Sequence, residues 1–328
     1  RFQTSVGSLS TGGNVTRSQQ SLSSSDTGPW QAGFRKYARM STVAAGTPSA
    51  NSYIEFYTHL EAQDIANSGW DYVSASGNIT LSFWFRCSAN QTFYAYLRSR
   101  DGTSQAYTFS FTASGNNTWT KITHTIPGNS NLQFDNNNDT GLSLYWTPFY
   151  GTDYTNNKTL NTWAAYDQNN QTPDMASTWL TSGAATWDIT GIQLEVGPVA
   201  TPFEHRSFDD ELRRCRRYFF KTSRWMGGAR GSSTYRAFTL DFGMRLTGSD
   251  VSSGTYTNDG TAAGDVVYIG SSATRQNSNV TANSLSFSSS TNSQQMSAGV
   301  DVGYSIGSGD NGIITGLFIG GFSIDHEL

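Results

Sequence analysis

At 328 residues the chain has room for two domains with separate cores. With 14% charged, 36% hydrophobic and 13% aromatic residues, and Gly, Ser, Thr and Asn filling much of the rest, its composition suits short strands joined by polar turns. The net charge of -4 offers no broad basic field to a phosphate backbone, which argues against nucleic acid as a partner. The most apolar run, 313–319, is far too short to cross a bilayer, so no membrane insertion, no signal peptide and a soluble protein are expected.

Residues 1–34 are rich in Ser, Thr, Gly and Gln and hold few large apolar side chains, a poor return on the entropy of ordering. They read as an extended amino-terminal arm or anchor, held by a neighbouring subunit or another partner through Phe2 and Trp30. From Tyr53 onward a period of two dominates. In 81–87, Leu81, Phe83, Phe85 and Cys87 form one apolar face, as a half-buried strand requires. In 93–98, Phe93, Ala95 and Leu97 face one way and Tyr94, Tyr96 and Arg98 the other. Further strands are expected at 107–111, 119–126 and 142–146, and regular short strands with turn signals between them read as a sandwich.

The stretch 145–180 is longer than an ordinary turn and reads as a functional loop. In 187–197 the apolar parity shifts from odd (Trp187, Ile189) to even (Ile192, Leu194, Val196), which predicts a bulge at Gly191 in a central, domain-closing strand. After Pro198 and Pro202, Ser207 is a fitting N-cap for a short helix with acids in its first turn and arginines in its last. Its stripe of Phe208, Leu212, Cys215 and Phe219 is expected to dock on the sandwich or on a symmetry mate. Arg206, Arg213, Arg214, Arg216, Arg217, Lys221 and Arg224 crowd together here and read as a solvated or inter-subunit face.

Strands return at 237–246, 266–269, 280–287, 300–306 and 313–324. No lysine follows Lys221, so strand edges there are weakly protected and pairing between subunits is expected. The fold class is therefore all-β: a jelly-roll β-sandwich over 35–205, a short helical connector over 206–225, and a second β-rich sandwich domain over 226–328.

Two sets of residues have the chemistry for a site. Trp146, Tyr150, Tyr154, Trp163, Tyr166 and Trp179 stand among amides and hydroxyls in the aromatic stretch. Such rings either stack on sugars or pack the loop against the sandwich. Asp135, Asn137 and Asp139 lie in an oxygen-rich run that is either an Asx turn or a structural calcium loop. Thr140 and Trp146, where an EF-hand needs Gly and Glu, exclude that motif. No cofactor is otherwise expected. Cys87 and Cys215 make neither a disulfide framework nor a zinc site, and Cys87 reads as a buried thiol. The four histidines are scattered, and no nucleophile elbow or phosphate-cradling glycine loop occurs. Asp153, Asp167 and Asp174 are the only candidates for a glycosidic carboxylate pair, and no enzyme is expected.

The run 189–207 (ITGIQLEVGPVATPFEHRS), continued by Glu211-Leu212 and 215–219, resembles a signature of tail-fibre and other structural proteins of bacteriophages, marine phages and cyanophages especially. Residues 79–85 and 119–122 resemble that family's carbohydrate-binding-module-like jelly roll, so that the likeness covers about 35–225. It implies a homotrimeric virion fibre, joined to other virion proteins and adhering to a host cell-surface glycan, with no catalytic residue in the signature. A capsid-attached fibre or decoration protein, and a polysaccharide-degrading tailspike, remain as alternatives.

Overall fold

The computed structural model describes residues 2–9, 15–42, 47–114 and 117–215, and beyond these the strands lying between 219 and 325. The chain divides into two units, residues 1–205 and 206–327.

The first unit is a sandwich of two antiparallel sheets. One has six strands in the order β1 (Gln3–Gly7), β4 (Tyr53–Glu61), β9 (Thr140–Tyr150), β6 (Asn90–Ser99), β7 (Gln105–Ser114), β10 (Trp163–Ala165). The other has five, in the order β2 (Val15–Ser21), β3 (Lys36–Thr42), β11 (Thr186–Val196), β5 (Asn78–Cys87), β8 (Thr120–Pro127). Two short helices, α1 (Ala62–Ala66) and α2 (Thr178–Thr181), interrupt the connections.

Alternation explains why these strands meet face to face. Leu81, Phe83, Phe85 and Cys87 of β5 point inward and are buried, as are Phe93, Ala95 and Leu97 of β6 and Leu142, Leu144 and Trp146 of β9. Rings from the two sheets interlock. Phe85 lies 4.9 Å edge-on to Phe111 of the opposite sheet, and Phe83 lies 5.3 Å from Phe111 and 5.7 Å from Trp146. Removing one such ring leaves a cavity worth about 3–5 kcal/mol. Burial pushes the Cys87 thiol up to about 12, as expected of an inert core cysteine.

The bulge expected in β11 is present. Its register against β5 shifts between Thr190 and Gln193. Gly191 there adopts φ +62, and a Cβ would meet the Phe34 ring at 2.6 Å, so glycine is required on both counts. The shift turns Ile192 and Leu194 back toward the core.

Residues 1–34 are not an extended arm. β1 pairs with β4 from Gln3↔Tyr57 to Gly7↔Tyr53, and β2 pairs along β3, so the segment supplies an edge strand to each sheet. Backbone pairing, which composition does not reveal, orders it, and its two expected anchors find partners within the chain. Phe2 stacks on Phe56 at 5.1 Å, and Trp30 packs beside Leu22, Tyr37 and Trp119. The stretch 145–150 is likewise strand, not loop. Pro148 breaks the pattern there, but two residues of β9, Thr147 and Pro148, oppose Glu55 alone, so the missing proline N–H falls at a register shift.

In the second unit α3 (Phe208–Cys215) follows Ser207, whose Oγ accepts the Asp210 N–H at 3.3 Å as an N-cap should. Asp210 bridges Arg213 and Arg214. The helix does not continue to Phe219: β12 (Phe219–Arg224) is a strand paired with β20 (Gly320–Asp325), which also takes β14 (Thr255–Asn258). Aromatic and β-branched residues at 219–222 favour that state. A second three-stranded sheet orders β13 (Tyr235–Asp241), β18 (Gln295–Asp301) and β17 (Ser284–Ser289). A third orders β16 (Arg275–Thr281), β15 (Ala263–Ile269) and β19 (Ile313–Leu317). The strands expected over 280–287 and 313–324 are thus each two strands. The ends expected at 242–246 and 302–306 lie outside the described residues.

Candidate functional site on the six-stranded sheet

The outward face of the six-stranded sheet is where polar and aromatic chemistry collects. β4 turns Tyr53, Glu55, Tyr57 and His59 outward, β9 turns Ser143 and Tyr145, and β6 turns Tyr94, Tyr96 and Arg98, with Arg100 just past its end. Register makes a row of three of these. Tyr57 pairs with Tyr145 and Tyr145 with Tyr96, and their rings stack at 5.3 Å and 4.6 Å. The segment 151–175 folds over one side of this face. Its Gln171 Oε1 accepts the Tyr96 hydroxyl at 2.7 Å, and Thr108 Oγ1 donates to the Gln171 carbonyl at 2.9 Å.

Of the six aromatic residues expected to hold sugar, the structure brings two to this surface. Tyr154 sits edge-on to Tyr53 at 5.7 Å and Tyr166 lies under the Arg98 guanidinium at 3.4 Å, both half-buried. The other four are structural. Trp146 and Trp179 are fully buried in the core, on β9 and α2. Trp163 is buried beside Tyr107, and its Nε1 donates to the Pro127 carbonyl at 2.7 Å. Tyr150 is buried too, its hydroxyl donating to Glu55 and lying 3.1 Å from that of Tyr96. The three tryptophans belong to the core, and Tyr150, on the outer side, is covered by Tyr154 and Met175, so none has access to ligand.

Residues that sequence reasoning did not single out complete the face. Tyr57 donates to Gln3 Oε1, and His59 Nδ1 lies 2.8 Å from Ser143 Oγ. Arg100 donates from Nε to Ser143 Oγ at 2.9 Å and from Nη2 to the Tyr145 hydroxyl at 2.5 Å. Burial pushes the Glu55 carboxyl above the ordinary carboxylate range, against the Tyr150 hydrogen bond and the charge of Arg100. Burial, with Arg100 second, lowers His59 to about 4, so its ring is neutral at pH 7. The signal was available in part: the alternation of β6 already set Tyr94, Tyr96 and Arg98 on one face.

The oxygen-rich run holds backbone. The Asn137 and Asp139 carbonyls accept the Gln63 and Ala62 N–H groups, each at 2.8 Å. Asn137 Oδ1 accepts the Asp139 N–H at 3.0 Å, an Asx turn, and Asp135 donates its N–H to Asp101. Among the described residues no group of three or more His, Cys, Asp or Glu side chains gathers as for a metal. Asp174 accepts from Thr155 Oγ1 at 2.6 Å, Asp167 accepts the Asn169 N–H at 2.9 Å, and Asp153 is exposed. Among the described residues no helix is long and apolar enough to cross a membrane.

No protein-family model matches the chain, and no curated protein does. Among solved structures it is similar to the enzymatically active domain of bacteriophage CBA120 tailspike protein 4, at 11% identity and a TM-score of 0.33 over 60% of this chain and 19% of that one. The chain thus spans about a fifth of that tailspike's length. It is similar to the amino-terminal cellulose-binding domain of Cellulomonas fimi β-1,4-glucanase C, at 10% identity and a TM-score of 0.28 over 50% of this chain and 80% of that one. A third is a carbohydrate-binding module solved with β-1,4-galactotriose, at 8% identity and a TM-score of 0.26 over 60% and 88%. At these scores the likenesses assign neither ligand nor partner to the chain.

Proposed function

We propose that the chain is a non-enzymatic attachment protein of a bacteriophage tail fibre, a homotrimer whose sandwich adheres to a host surface glycan through the outer face of its six-stranded sheet. The observation that carries the reading is the set of half-buried tyrosines on that face, Tyr53, Tyr57, Tyr94, Tyr154 and Tyr166, set among Arg98, Arg100, His59 and Gln171. Ring faces cover the apolar side of a sugar while guanidinium, amide and hydroxyl groups take its hydroxyls. The tail-fibre part of the reading rests on the resemblance of 189–207. Each site is shallow and weak, and three copies on one fibre raise its effective affinity.

The test is a glycan array probed with the full 328-residue chain, with its mass in solution measured by light scattering. Binding that falls about tenfold or more in Tyr57→Ala and Tyr166→Ala, at unchanged thermal midpoint, is the expected result. No binding by the intact protein, or binding indifferent to both substitutions, overturns the assignment of this face. Antibody labelling on the capsid instead of the tail moves the protein there, and release of reducing ends from host polysaccharide makes it an enzyme.

A further inference from the structure

Four arginines on the sandwich can be compared for what balances their charge. Arg39 and Arg86 both reach the buried carboxylate of Asp188, at 2.7 and 2.8 Å, and Arg86 also reaches Asp26 at 2.7 Å. Arg98 and Arg100 have no such partner: among the described residues neither lies within 4.0 Å of a carboxylate oxygen. They stand two residues apart, on one face of one strand line, so their charges face the same way. Arg98 spends its Nε–H on Ser104 Oγ at 3.0 Å and its π face on Tyr166, which fixes the guanidinium plane and leaves both Nη groups without a protein acceptor among the described residues. Arg100 likewise keeps Nη1.

Two half-buried, like-charged, oriented guanidiniums are an unfavourable arrangement for a protein with nothing to bind. Burial, and then the proximity of Arg100, hold Arg98 below the ordinary arginine value. No acid closes on either guanidinium: Glu55 takes the Tyr150 hydroxyl, with burial raising its carboxyl, and Asp101 takes the Asp135 N–H. An oxyanion is the group that satisfies the free Nη groups of two adjacent guanidiniums.

We infer that the ligand of this face is an acidic saccharide, whose carboxylate or phosphate sits between Arg98 and Arg100 while its ring lies against the half-buried Tyr166 and Tyr57 side of the sheet. The inference rests on the glycan-binding reading and narrows it from sugars in general to anionic ones.

The probes are polygalacturonate, hyaluronate and a glycerol-phosphate polymer for the two kinds of oxyanion. Fully methyl-esterified polygalacturonate serves as the neutral analogue of the first. Retardation of the full chain in gels cast with each polymer reads out affinity. At least one acidic polymer is expected to retard the protein, about tenfold more strongly than the neutral analogue, with the effect fading between 50 and about 300 mM salt. Arg98→Gln and Arg100→Gln should each lose about tenfold, Arg98→Lys less, and Arg35→Gln, outside the face, nothing. Unchanged urea midpoints in these variants exclude misfolding. Equal binding of the ester and the acid, untouched by Arg98→Gln and Arg100→Gln but lost in Tyr166→Ala, overturns the inference and keeps a glycan site. Binding to no polymer of either charge overturns both.

Discussion

Each outer face of the sandwich carries a pair of arginines, and the two pairs meet opposite surroundings. On the five-stranded sheet Arg39 and Arg86 close around Asp188, and Asp26 reaches in from the amino-terminal segment to hold Arg86 at 2.7 Å and the Trp119 indole N–H at 3.1 Å. Tyr37 adds its hydroxyl to Arg86 at 2.9 Å and its ring 5.0 Å away. Both guanidiniums there find carboxylates within the protein. On the six-stranded sheet Arg98 and Arg100 have rings and hydroxyls around them but, among the described residues, no carboxylate partner. The same side chain thus fastens structure on one face and is left competent for a ligand on the other, and the difference lies in where the acids are.

The largest effect that would break this contrast is at Asp188. Its carboxylate is fully buried and takes both guanidiniums, so Asp188→Asn leaves Arg39 without a counter-charge and Arg86 with Asp26 alone. A loss of about 3–5 kcal/mol is expected, read from urea unfolding followed by tryptophan fluorescence. A loss below about 1 kcal/mol would mean that water screens this face as it does an ordinary surface pair, and the fastening role would go.

Much of this was open to sequence reasoning, and the rest failed for definable reasons. The period of two in 81–87 and 93–98, the parity change around Gly191 and the Ser207 cap are local patterns, and local patterns survive folding. The fate of 1–34 was not local. That segment is polar because only Val15, Leu22 and a few neighbours need to reach the core, while its order comes from pairing with β4 and β3, 30 or more residues away for β1. Composition is blind to a backbone partner. The aromatic stretch misled for a related reason. A proline inside a strand pattern ordinarily ends it, yet β9 passes through Pro148 at a bulge and carries Trp146 inward and Tyr145 outward. Choosing the rings that face solvent required the parity of a strand whose continuation was hidden. The arginine contrast required pairing information, because Asp188 lies 102 residues from Arg86 and 149 from Arg39.

A smaller effect sharpens the comparison through pH. His59, beside Arg100 on the open face, has its folded value lowered to about 4 from the ordinary 6.5. Its contribution is therefore fully present above pH 6.5. As pH falls through 6.5 the unfolded chain takes a proton there that the folded chain refuses until about pH 4, so stability is lost across that window and the loss then levels off. Glu55 works in the opposite sense, since its raised folded value favours the folded state on acidification. Comparing His59→Gln with the parent protein cancels the Glu55 contribution. The variant should lose less stability between pH 6.5 and 4 than the parent, read as urea midpoints across the range. Parallel curves would show that His59 is solvated and that the open face is wetter than its packing indicates.

The smallest effect is the one that most directly opposes the two arginine pairs. Arg86→Gln removes a cation that the covered face needs, and Asp188 is then left with Arg39 alone and Asp26 with the Trp119 and Ser23 hydrogen bonds. Arg98→Gln removes a cation with a like charge beside it and, among the described residues, no carboxylate partner. Its hydrogen bond to Ser104 and its packing on Tyr166 are lost, but so is its repulsion with Arg100. The two losses and the one relief are each about 1 kcal/mol or less, so the net loss should be about 1 kcal/mol or less. A midpoint shift as large for Arg98→Gln as for Arg86→Gln would place the two faces in the same class, since a side chain that holds the fold together is not one held in reserve for a ligand. A negligible shift at Arg98 beside a clear one at Arg86 would separate them without any ligand being known.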